Sequence, residues 1–510
     1  MKRYLFILLL SAGCVQQSTE EKTTYSYDQL YRPQFHFSPP QNFMNDPNGL
    51  VYANGTYHLF YQHNPMGNQW GHMSWGHATS RDLVHWKHQP VALEEDEGVM
   101  IFSGSAVYDQ NNTSGFDNDD EDEGVLVAIY TAHQENLQNQ AIAYSNDGIH
   151  WTKYKDNPVL DQGLKDFRDP KVFWYDPDQK WVMVVAVPDQ QKVQLYESGD
   201  LKHWGLMSEF GWPKPENVIW ECPDLYPLKV RGASDEFHWV MHVSLGGKGV
   251  ENSPRMMYFI GEFNGQEFTT SQPQDTIRWL DHGRDFYAAI TWNDAPLDQA
   301  HQIAIGWVNN WKYANQLPVE PWRGAQSIPR HFTLEQEAEG LRLFQTPVDN
   351  LRRLRTDSYN FEEIVIDESE FHFDGDTSVY GRQLELFIEF SSIEADAFGV
   401  KFFMGGETET IVAYDAKNES FFVDRTNSGQ MDYSDAIEPV SLAPLKKDDG
   451  KIRMHVFIDH SIVEAFGNDG EVVITSRVFP AADKNKLVVF AEGGKVQIDR
   501  LQLWKLKSIW

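Results

Sequence analysis

The chain has 510 residues, 41% of them hydrophobic and 14% aromatic, and a formal net charge of -32. This length predicts two units, or one large all-β unit with a smaller companion, and the charge excludes nucleic acid, whose phosphates it would repel. Neutral partners are favoured, and 17 Trp with 21 Tyr supply flat faces that suit strands and sugar rings alike.

The first predicted element is an export signal, residues 1–14. Lys2 and Arg3 precede an apolar run from Tyr4 to Leu10 and then Ser-Ala-Gly-Cys, a layout too short to span a membrane as a mature helix. It resembles the bacterial lipoprotein signal, which would make Cys14 the lipidated first residue and the lipid the chain's only membrane contact. Ser11 stands where that pattern usually has Leu, with Leu10 one place earlier. An ordinary cleaved signal and a secreted product are the alternative. Cys222 is the only other cysteine, so an acylated Cys14 leaves no intramolecular disulfide. Residues 15–30 are polar and read as a tether.

Residues 31–347 show short β-branched and aromatic runs between Gly, Asp and Asn turns, with no long helical period. Five runs begin at Tyr57, Val125, Trp181, His238 and Ile303, spaced 56 to 68 residues apart. Several short strands per period predict a five-bladed β-propeller, with a large sandwich as the alternative. The run Asp117 to Glu123 reads as a solvated loop, because it lacks the spaced ligands and glycine of a calcium site.

Three acids recur in register within this region. Asp46-Pro47 leads into the first run, Arg168-Asp169-Pro170 into the third and Trp220-Glu221-Cys222-Pro223 into the fourth. Any one of them alone would read as a turn cap. Together they take the same place, just before the first strand of a hairpin, which gathers them at the propeller axis. Mutual repulsion should raise the pKa of at least one, and a carboxylate beside a carboxylic acid is what glycosidic cleavage needs. Gln62, Trp70, Trp75, Phe102, Ser103 and Trp311 supply groups that could hold a sugar.

The last predicted unit is residues 348–510. A linking helix or turn over 350–355 precedes alternating runs such as LELFIEFS, TIVAYDA and IRMHVFID, which predict a β-sandwich packed against the propeller. The 18 His residues, His72 and His77 included, show no metal-ligand spacing, and no cofactor is implied. Nothing in the sequence sets an oligomeric state.

A series of motifs appears in order along the chain: MNDPNG at 44–49, FYQHNP at 60–65, WGHMSWGHATSRDLVHW at 70–86, FSGSAV at 102–107 and FRDPKVFW at 167–174. It continues with WECPDL at 220–225, GRDFYAAITW at 283–292, GWVNNW at 306–311 and PWRGAQSIPR at 321–330. With these motifs the chain resembles glycoside hydrolase family 32, the β-fructosidases. The resemblance implies a five-bladed propeller followed by a sandwich, and retaining hydrolysis of terminal β-linked fructose. It assigns Asp46 as nucleophile, Glu221 as acid/base and Asp169 as transition-state stabiliser, roles that the residues alone do not rank. It also implies a fructose subsite with Asn45, Gln62, Trp70, Phe102, Ser103, Arg168, Asp285 and Trp311, and Cys222 beside the acid/base as a local tuner rather than a nucleophile.

Within the family, WECPDL and GWVNNW look most like exo-acting fructan hydrolases of the levanase and exo-inulinase type, acting on levan, inulin and sucrose. The alternatives are a sucrose-preferring invertase, an endo-fructanase, an inverting arabinan-type propeller hydrolase and a non-catalytic glycan-binding lipoprotein. The inverting enzyme would hold its acid and base farther apart than the roughly 5 to 5.5 Å of a retaining pair.

Overall fold

A computed structural model of the chain describes residues 25–117, 124–213, 215–247, 254–373 and 377–510. The export signal with Cys14, most of the tether and most of the acidic run lie outside the described residues.

The five apolar runs become the second strands of five successive antiparallel sheets. Lys180–Val187 is typical: apart from Lys180 it is buried throughout, as expected of a strand covered on both faces, which is why its sequence runs continuously apolar instead of alternating. The first strands are Asn42–Ala53, Met100–Asp109, Arg168–Tyr175, Ile219–Lys229 and Tyr287–Thr291. Each packs against the first strand of the next sheet, and the fifth packs against the first, so they form a closed inner ring. Trp322–Arg323 seals the ring by pairing in parallel with Asn42 and Phe43. The sheets thus form a β-propeller.

A short 3-10 helix, Asp349–Leu354, leads into the β-sandwich, two six-stranded sheets whose facing sides share an apolar core that includes Leu386, Ile388, Phe398, Val400 and Leu501. The propeller and the sandwich meet across a buried polar network. Arg330, fully buried in the fifth sheet, donates to Glu464 and Thr475 of the sandwich and to Asp281 and Gln345. Glu464 also receives the backbone N–H of Ile328 at 2.7 Å and faces His36, which bridges it to Asp459 at 3.0 and 2.8 Å. Flanking acids outweigh burial and hold the His36 imidazole above its usual range, while Arg330 holds Glu464 below the usual carboxylate range.

Candidate active site

Every inner strand carries the same irregularity at the same level. Two of its residues oppose one residue of the neighbouring strand: Asn45–Asp46, Phe102–Ser103, Asp169–Pro170, Cys222–Pro223 and Ala288–Ala289. These are β-bulges, which bend a strand and re-aim its side chains. Asp169, Cys222 and Ala288 take φ values of 65, 46 and 52°, the left-handed region that non-glycine residues avoid unless their surroundings impose it. The acids therefore sit within the first strands, not just before them as their turn-like sequence suggested, and the bulge turns them toward the axis.

A bulge leaves a backbone N–H without its ladder partner, and in four of the five sheets the preceding sheet supplies one. Gly104 N–H donates to Asn48 (3.2 Å), Asp169 N–H to Thr131 (2.9 Å), Cys222 N–H to Asp169 (2.9 Å) and Ala288 N–H to Ser244 (3.1 Å). Four of the five inner strands are thus pinned by the strand or sheet before them, which makes the ring stiff around the site.

Asp46, Asp169 and Glu221 converge within this ring. Asp46 accepts hydrogen bonds from Ser103 Oγ (2.6 Å) and Asn45 Nδ2 (3.0 Å). The Cys222 sulfur lies 3.6 Å from Oδ2 of both Asp46 and Asp169, between them. Arg168 donates through Nε and Nη2 to Glu221 Oε1 at 3.2 and 3.0 Å, and its Nε lies 4.0 Å from Asp169. Glu221 Oε2 accepts from the Tyr287 hydroxyl at 2.6 Å. Gly246 makes room for this contact, since a Cβ there would meet Glu221 Oε2 at 2.6 Å and the Tyr287 oxygen at 2.8 Å.

Burial dominates the electrostatics. It pushes Asp46 up to about 6 against the Ser103 and Asn45 hydrogen bonds, which favour the ionised form, while the Glu221 charge adds to the rise. It pushes Asp169 up to about 7, with Arg168 opposing and Glu221 and Asp46 reinforcing the shift. The Cys222 thiol rises well above its usual range for the same reason, so it stays protonated and is no nucleophile. Glu221 is the most solvent-accessible acid, its side chain 19% exposed against 6% for Asp169, which leaves it open to an incoming water.

The other sequence-derived candidates divide. Trp70 is 40% exposed at the rim, with its ring 6.1 Å from Phe102, which stacks on His133 at 4.1 Å. Trp311 and Phe102 pack on the apolar cluster that includes Cys222 and Tyr287. Gln62 lies opposite the Asn45–Asp46 bulge and donates to Ile101 O at 2.9 Å. Asn45 Oδ1 is buried with no hydrogen-bond partner among the described residues, an acceptor left over for a ligand hydroxyl.

Two candidates are corrected. Asp285 is fully buried: its Oδ1 accepts from Tyr313 Oη (2.5 Å) within the propeller, and its Oδ2 accepts from Arg425 Nη1 (2.6 Å) and Arg477 N (2.8 Å), which ties the propeller to the sandwich. Trp75 is fully buried, with its indole N–H donated to Phe102 O at 3.0 Å, and supports the wall from behind. Conversely, sequence reasoning did not single out Tyr287, although it lies in the GRDFYAAITW motif. Its place shows only in the strand register, where Tyr287 precedes its bulge as Glu221 precedes its own.

Among the described residues no group of His, Cys, Asp and Glu side chains is arranged to hold a metal ion. What the site can do is acid/base and nucleophilic work on a neutral, hydroxyl-rich ligand.

Comparison with known proteins agrees with this chemistry. Residues 36–347 match the N-terminal domain model of glycosyl hydrolases family 32, and residues 350–505 its C-terminal model. A levanase of Bacillus subtilis is 45% identical over 99% of this chain and 74% of its own length. An extracellular exo-inulinase of Aspergillus awamori is 38% identical over 95% of this chain and 96% of its own. The crystal structure of that organism's exo-inulinase superimposes with a TM-score of 0.88 at 38% identity, covering 95% of this chain and all of the other. A fructofuranosidase from Schwanniomyces occidentalis complexed with fructose gives 0.85 at 31% identity, covering 94% and 99%.

Proposed function

The chain belongs to glycosyl hydrolase family 32, and from that membership we propose an exo-acting β-fructosidase that releases terminal, non-reducing β-D-fructofuranosyl residues from fructans and from sucrose. The observation that carries this reading is the ring of three acids, in which one bulged strand presents Asp46 and a facing one presents Glu221 under the hold of Arg168 and Tyr287.

In this reading Asp46 attacks the anomeric carbon of the terminal fructose, forming an ester bond as the glycosidic bond breaks. Glu221 gives its proton to the leaving oxygen. The second half reverses the roles: ionised Glu221 takes a proton from water, the water oxygen attacks the anomeric carbon, and Asp46 departs as a carboxylate with the anomeric configuration retained. Asp169 binds fructose hydroxyls and tightens its hold as oxocarbenium charge develops. Arg168 keeps negative charge at the site affordable. Asn45, Gln62, Trp70, Phe102, Ser103 and Trp311 line the fructose subsite.

The test is a chromatogram of early products from levan and from inulin. Free fructose alone is the expected result, and the faster polymer identifies the preferred linkage. A ladder of oligosaccharides would overturn exo action, and silence on both polymers with turnover of sucrose would make the enzyme an invertase.

We also propose that the protein is exported and held at the bacterial envelope by a lipid on Cys14. The named exo-inulinase relatives are extracellular, and the layout of residues 1–14 supports the anchor. Sedimentation with membranes is expected for the wild type, and a Cys14→Ser protein should be lost from that fraction. Wild-type protein found entirely in the soluble medium would remove the anchor from the account.

A further inference from the structure

A second concave surface lies outside this chemistry. A cavity of about 600 Å³ opens at the far end of the same inner strands that carry the acids. Its walls include Trp174, five places beyond Asp169, which at the usual strand rise puts it about 16 Å along the strand from that acid. Lys171 and Thr291 fill the axis between the two sites. The buried ammonium donates to Thr291 O and Oγ1 at 2.6 and 3.1 Å and lies 3.5 Å from Asp224. A ligand in the cavity therefore cannot pass through to the acids.

The lining has the chemistry of a sugar site. Phe237 is 38% exposed, and Trp174 and Trp239 are half-buried. These faces could have been covered by the fold, and exposing them to water forgoes that burial. Neither the Trp174 nor the Trp239 indole N–H donates to a protein group among the described residues, whereas Trp181 alongside donates to Thr113 at 2.8 Å. Exposed Asn111, Asp294 and Gln299 complete the rim with donors and acceptors. Flat apolar faces beside amides and carboxylates suit the apolar face and vicinal hydroxyls of a sugar ring, and a lining with Asp109, Asp176, Asp294 and Asp298 in a chain of net charge -32 disfavours an anionic ligand.

We propose that this cavity is a second carbohydrate-binding site, which retains a neutral fructan chain while the acids trim a chain end on the opposite face. The identity of the polymer rests on the β-fructosidase reading. Such a site would leave hydrolysis of short substrates untouched and raise the residence of the enzyme on long ones by engaging two points of a polymer.

The test uses the full-length protein with Glu221→Gln, so that the polymer survives, in affinity electrophoresis through gels containing levan or inulin. Saturating free fructose is added to occupy the catalytic subsite. Retardation that persists under fructose and weakens about tenfold in Phe237→Ala or Trp239→Ala is the expected result. Otherwise wild-type protein carrying the same two substitutions should hydrolyse sucrose within about twofold of the parent, which also reports that it is folded. Retardation abolished by fructose, or retained unchanged in both aromatic variants, would overturn the site. If the parent releases no fructose from either polymer or from sucrose, the failure belongs to the proposed activity instead.

Discussion

Asp46→Asn is expected to lower kcat by about four orders of magnitude or more on every substrate, because the covalent half-reaction then has no nucleophile. Substrate binding should change little, since the amide keeps the Ser103 contact and nearly the same volume. Glu221→Gln should behave differently. With a natural sugar leaving group its loss should be comparable, but an aryl β-fructofuranoside whose phenolate departs without a proton should bypass the acid step. Added azide should then accelerate breakdown of the intermediate, because a small anion needs no general base. Asp46→Asn should gain nothing from either device. Rescue of Asp46→Asn together with none for Glu221→Gln would exchange the two roles.

The same residue sets the acid limb of the pH profile. Asp46 must be ionised to attack, and burial holds its pKa up to about 6, so kcat/KM should fall roughly tenfold per pH unit below that value. Ser103 donates to the carboxylate and lowers its pKa, so Ser103→Ala should move the limb to higher pH, by about one unit.

Glu464→Ala carries the largest expected effect on stability, a loss of about 3 to 5 kcal/mol in urea titration. Removing this one carboxylate leaves Arg330 buried with Asp281 as its remaining anion, and leaves His36 with Asp459 alone. Glu464 is ionised well below neutrality, and its folded pKa is depressed. Its stabilising contribution is therefore full above the unfolded carboxylate range and fades as pH falls through the folded pKa, so the penalty should be large at pH 7 and shrink in acid. Arg330 also lies over the Phe286 ring, 4.2 Å away, and Phe286 precedes Tyr287. Loss of activity and loss of sandwich structure should consequently trace one transition in the parent, and two separated transitions would show that the units unfold independently.

Much of the fold was legible because doubly covered strands write continuous apolar runs, and five of them recur at nearly equal spacing. The three acids were legible because register repeats with the fold. The bulges were not, since one extra residue per strand disturbs no hydrophobic pattern. Asp285 shows the other limit: it stands in a motif with site residues, but its partner Arg425 lies in the sandwich, and no spacing rule connects them. Thr131 and Ser244, which pin the bulges of neighbouring strands, are ordinary small polar strand residues until the ring brings the next strand beside them.

The parallel pairing of Asn42 and Phe43 with Trp322 and Arg323 also orders events in time. The strand that bears Asp46 emerges early from the ribosome, yet the segment that pairs with the start of its free edge is made some 280 residues later. Early sheets can fold as hairpins while synthesis proceeds, but the first strand must wait with an open edge, a long loop closure that slows folding and invites wrong pairing. The residue placed to attack the sugar would then acquire its geometry among the last, so cleaving power should appear only once nearly the whole propeller has been delivered.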